Sequence, residues 1–333
     1  MASLLESLSS TLTPDALGSI AKALGADPGA VSKGLGAVGP LLLGGLGQVT
    51  ATPGGAEAMF KSLPADSGGM LGGLGSLVGS LFGGGGGGAG GGSIVNQLLG
   101  SGSNAIGASL SRALGFNVTP LIAMAAPLLM NFLSKAVKGG NLDASGLASM
   151  LAKEQAAVAA NPANAEALAL VQSATEAGQQ ASALIDSYGA DWAKVSLGPL
   201  AATMLVTGSD LSGPIDSMKE VKAANQAMVD AAAGAGPASV LASALGGGID
   251  IGAVKQLREL VRDKGKLIDL VKGGAAAVAL RSPGEAAAYK ATVLKVAQAT
   301  AEAAKDGGFL GIGGKLVSDD EQAALDALKA ALA

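Results

Sequence analysis

Residues 40–46 read PLLLGGL and residues 127–133 read PLLMNFL, and each phrase sits in a stretch without a charged side chain, Gly34–Ala56 and Ala113–Ser134. A folded chain does not leave such a stretch in water. It becomes either a buried helix or a membrane span. Asn117, Pro120, Pro127 and Asn131 interrupt the second stretch, and glycines cut the first. Both are therefore expected to be buried core helices, and no stable membrane span is expected. Two copies of one phrase point to a degenerate internal repeat of a helical unit, and the simplest way to bury two such helices is against each other.

Helix start signals recur around the phrases. Thr13–Pro14, Asp27–Pro28 and Thr52–Pro53 each pair a capping side chain with a proline at the first helical position. Gly25 stands where the first helix should stop. From Ser67 to Ser111 no residue is charged, and Gly83–Gly92 is all glycine except for one alanine. Glycine loses the most backbone freedom on ordering, so residues 83–93 are expected to be a flexible linker. Just before it, Leu74, Leu77, Val78 and Leu81 make one more helical apolar face.

The blocks LTPDALGSIAKALGADPGAVSKGLGAVGPLLLGGL with TPGGAEAM, and SRALGF, LIAMAAPLLMNFLSKAV and LDASGLASMLAKE, resemble those of the bacterial YidB-like family of unknown function. The resemblance covers residues 1–155. It implies a small all-helical bacterial domain and carries no catalytic residues, because the family has no established chemistry. The glycine tract departs from the family pattern, which has a short acidic or Asp-Gly-rich connection there.

Residues 157–333 read as an alanine-rich helical bundle. Asn161–Pro162 opens one helix, and Ser282–Glu285 and Ser318–Glu321 have the spacing of capping boxes. No stretch alternates with period two for long enough to make a sheet. The fold class expected is all-α in two regions. An internally duplicated YidB-like domain has its halves at 1–82 and 94–156, joined by the linker 83–93, and is followed by the bundle at 157–333.

Chemistry is narrowed by what the chain lacks. It has no histidine and no cysteine. That excludes thiolate sites and Ser-His-Asp triads, and it removes the commonest base near neutral pH. A non-enzyme is expected. Residues 1–156 hold seven basic and seven acidic groups, so the net charge of −4 arises in the remainder. Neither half is basic enough to suggest nucleic-acid binding, and eight aromatic residues in 333 give little stacking surface. The N-terminus has no basic segment and carries Glu6, so no secretory signal is expected and the location expected is cytoplasmic.

The most motif-like stretch is KDGGFLGIGGKLVSDDE, residues 305–321. It fails the P-loop pattern at Phe309 and Leu316, and the EF-hand pattern at Gly308 and Leu310. It is weakly similar to the end of TerB-like helical domains, whose loops can bind divalent cations, although the seven residues FLGIGGK break that pattern. Asp306, Asp319, Asp320 and Glu321 are accordingly the candidate metal ligands, with a divalent cation as the possible cofactor. The alternative role for the last three is to favour the positive end of the final helix.

Lys255, Arg258 and Arg262 lie along one helical face with Glu259 and Asp263 interleaved, which reads as a solvated face with i,i+4 pairs. GSGSNAIG at 100–107 lacks nucleophile-elbow spacing, and Trp192 and Tyr188 read as packed anchors. Low charge and abundant small residues lead to the expectation of a structural or interaction protein that self-associates through close helix packing, as a homo-oligomer or with a protein partner. The alternative is a metal- or stress-response binding protein using the loop at 305–321.

Overall fold

The computed structural model describes residues 14–63, 88–208, 214–248, 257, 263–303 and 317–333. Among these every regular element is helical, as the sequence pattern expects. The helices are α1 (Pro14–Leu24), α2 (Pro28–Ala51), α3 (Gly55–Ser62), α4 (Gly88–Leu99), α5 (Ser103–Leu114), α6 (Thr119–Gly139), α7 (Ala144–Ala160), α8 (Ala165–Tyr188), α9 (Trp192–Thr207), α10 (Pro214–Gly234), α11 (Val240–Leu245), α12 (Lys264–Arg281), α13 (Ala286–Ala303) and α14 (Asp319–Leu332). The chain forms two compact units, Met1–Ala177 and Gly178–Ala333.

The boundary lies inside α8, later than the break at 156/157 that composition suggests. The reason is packing: Ala174 is buried in the core of the first unit, and Ala167, Leu168, Leu170 and Val171 pack against that core.

In the first unit α2 is the central helix, touching α1, α3, α4, α5, α6 and α7. From Ala37 to Leu46 only Gly44 is not fully buried. Asp27 starts the helix by accepting from Gly29 N at 2.8 Å and Ala30 N at 3.3 Å, with Pro28 at the first position. The two repeat helices share one core. Leu41, Leu42, Leu43 and Leu46 of α2 cluster with Leu121, Ile122, Leu129 and Leu133 of α6.

Glycine decides which of the twins can be central. A Cβ at Gly45 would come within 2.8 Å of the Leu98 carbonyl oxygen of α4. The matching position in α6 is Phe132, whose ring could not enter that space. α2 and α6 are both long and apolar enough to cross a membrane, with mean hydropathy of 1.3 and 1.5 over their most apolar windows. Of those windows 56% and 67% are buried within the protein.

Three local expectations are revised. Thr52 does not start a helix: its Oγ1 donates to Val49 O at 2.7 Å and closes α2, while α3 begins after Gly54, at φ +74°. The linker expected at 83–93 overlaps α4, which begins at Gly88. The cost of helical glycine at that end is offset where Leu98 is buried in the core and Ile94, Val95 and Leu99 pack on it. Residues 83–87, like Leu74–Leu81, lie outside the described residues. Ser282–Glu285 is not a capping box. Ser282 makes no side-chain cap, and Glu285 Oε2 instead accepts from Val240 N at 2.8 Å, at the start of α11.

In the second unit α9 packs on α12, α13 and α14, and α10 packs on α13. α9 carries a third proline phrase, Gly198-Pro199-Leu200, with the proline inside the helix as at Pro40 and Pro127. A helical proline has no N–H for the carbonyl four residues back. For Pro199 that carbonyl belongs to Val195, which is fully buried. Tyr289 of α13 supplies the missing donor, its hydroxyl reaching Val195 O at 2.7 Å. Room for the phenol comes from Gly198 and Gly274. A Cβ at Gly274 would lie 2.6 Å from Lys194 O and 2.8 Å from the Tyr289 hydroxyl.

Candidate functional site

The carboxylates singled out by the sequence fall at the last helix. Ser318, in extended conformation, is the N-cap of α14, and Asp319, Asp320 and Glu321 form its first turn. The expected capping box is present: Ser318 Oγ accepts from Glu321 N at 3.2 Å, and Glu321 Oε2 accepts from Ser318 N at 2.7 Å. Ser318 Oγ also donates to Glu321 Oε2 at 2.8 Å. Glu321 is only 1% exposed, so its carboxylate faces the cap, whereas Asp319 and Asp320 face solvent. Asp306 lies outside the described residues. Among the described residues no group of three or more Asp and Glu side chains is placed to hold a metal ion.

The other concentration of functional groups is a corner of the second unit. The turn Gly189–Asp191 between α8 and α9 packs on α12, whose last residue is Arg281. Arg281 Nη1 donates to Ser187 O at 2.7 Å, and its Nη2 lies 3.6 Å from Asp191 Oδ2. The same guanidinium sits 5.8 Å from the centre of the Tyr188 ring. Tyr188 meets Trp192 edge-on with centroids 5.5 Å apart, and its hydroxyl donates to Ser282 Oγ at 2.9 Å.

The bonds Ser187–Arg281, Tyr188–Ser282 and Val195–Tyr289 all join residues 94 apart. A constant difference, rather than a constant sum, means that the two corners lie in parallel register. Tyr188 is 1% exposed and Trp192 half-buried, so the aromatic pair packs as an anchor.

Among the described residues, four ionisations are displaced from their ordinary range. Lys194 donates to Asp191 Oδ1 at 3.0 Å and holds that carboxyl below the usual carboxylate range, with Arg281 adding to the effect. The Gly146 N–H, donating to the N-cap Asp143 at 2.7 Å, does the same there. Burial pushes the Tyr188 and Tyr289 phenols up. Each of the four is thus accounted for by a cap, an ion pair or packing.

The hydroxyls that sequence might offer as nucleophiles are also engaged. In the 100–107 stretch, Ser103 Oγ donates to Asn96 Oδ1 at 2.5 Å. Ser111 Oγ donates to Gly107 O at 2.7 Å and accepts from Val118 N at 3.0 Å. Of the basic run, Lys255, Arg258 and Arg262 lie outside the described residues, while Asp263 caps α12 by accepting from Lys266 N at 3.2 Å. Sequence reasoning named Tyr188 and Trp192 but not Arg281, Asp191 or Tyr289. The signal for Tyr289 was Pro199, because a proline inside a buried helix requires a donor from elsewhere.

Residues 6–136 match the family of bacterial proteins of unknown function designated DUF937. The match agrees with the YidB-like resemblance of the N-terminal blocks and places that region among bacterial domains of unknown function. No curated protein and no solved structure matches the chain.

Proposed function

We propose that this chain is a non-catalytic structural or interaction protein that works by helix packing and associates with copies of itself. One observation carries the reading. Among the described residues, the groups whose ionisation is displaced, Asp143, Tyr188, Asp191 and Tyr289, are held by caps, ion pairs and packing contacts of the fold, whereas catalytic groups are displaced toward a task in a cleft. The absence of histidine and cysteine from the sequence supports it.

Association is supported by composition. Only 14% of residues are charged, and a net charge of −4 on 333 residues opposes contact between copies weakly. No second copy is needed to cover α2, which the chain's own helices surround, so the contact surface belongs to outer faces. Light scattering on a size-exclusion column, with and without EDTA, tests the proposal. The expected result is a mass well above the 31.8 kDa of one chain, unchanged by EDTA. A monomer overturns self-association. An assembly that dissolves in EDTA would favour the cation-binding alternative instead.

A further inference from the structure

We draw no further inference here: the strongest candidate, the corner of the second unit where Leu280 stands 78% exposed next to Arg281, whose guanidinium lies over Tyr188, presents an unpartnered apolar side chain with nothing in the structure to show what covers it.

Discussion

Replacing Tyr289 by Phe removes one hydroxyl and keeps the ring in its fully buried place. The loss falls on Val195 O, which has no helical donor because residue 199 is proline. A buried carbonyl left without a partner costs about 1–3 kcal/mol. For a unit the size of Gly178–Ala333, about 2 kcal/mol corresponds to a fall in Tm of roughly 4–8 °C.

In a Pro199→Ala background the new N–H donates to Val195 O, so Tyr289→Phe costs less there, by about 1 kcal/mol. Urea unfolding followed by fluorescence is the assay. Trp192 is the single tryptophan, and it opens α9, the helix that contains Pro199. Equal penalties for Tyr289→Phe in the two backgrounds would refute the claim that the phenol replaces the proline's missing donor.

Alkaline pH tests the same phenol. Its ionisation is raised in the fold, so above about pH 10 the unfolded chain loses a proton that the folded chain keeps. Stability is therefore complete below about pH 10 and falls as pH rises beyond it, with Tyr188 acting in the same direction. Tyr289→Phe should flatten that fall in urea midpoints measured between pH 8 and 11. Glycines divide by their surroundings. Gly36→Ala, at an exposed helical site with open space around the new methyl, should stabilise by about 0.5–1 kcal/mol. Gly274→Ala, driven against Lys194 O, should destabilise by about 1–3 kcal/mol, and thermal unfolding separates the two. Asn131→Leu should leave stability unchanged or raise it, because Asn131 Oδ1 is a buried acceptor with no hydrogen-bond partner in the structure. A large loss in its calorimetric Tm would show that the amide is needed.

Helix starts set by contacts across two or three residues were legible. Asp27 before Pro28, Asn161 accepting from Ala163 N at 3.0 Å, and Ser318 with Glu321 are decided by adjacent side chains. Burial of the twin Pro-Leu-Leu helices in one core was legible too, since helices with such long uncharged stretches leave few alternatives.

Some features turn on which of two neighbouring local signals wins, and others on which helices meet, which no local pattern records. Thr52 closes a helix instead of opening one, because Gly54 takes the left-handed turn beyond it. Glu285 turns from its own helix to Val240, 45 residues away. The pairing of Val195 with Tyr289 spans 94 residues. At the candidate metal loop, the three described carboxylates were placed correctly at the start of the last helix. Of these, the Glu321 carboxylate serves the cap, as the capping-box spacing also foretold.

This chain covers its own apolar helices, and the proposal is that copies meet through other surfaces. Hydrogen exchange in detergent-free buffer, compared at low and high protein concentration, tests it most directly. The slowest exchange is expected in 37–46 and 121–134 at both concentrations, with any added protection at high concentration appearing elsewhere. Protection of 37–46 that appears only at high concentration, or only with lipid vesicles present, would contradict the claim.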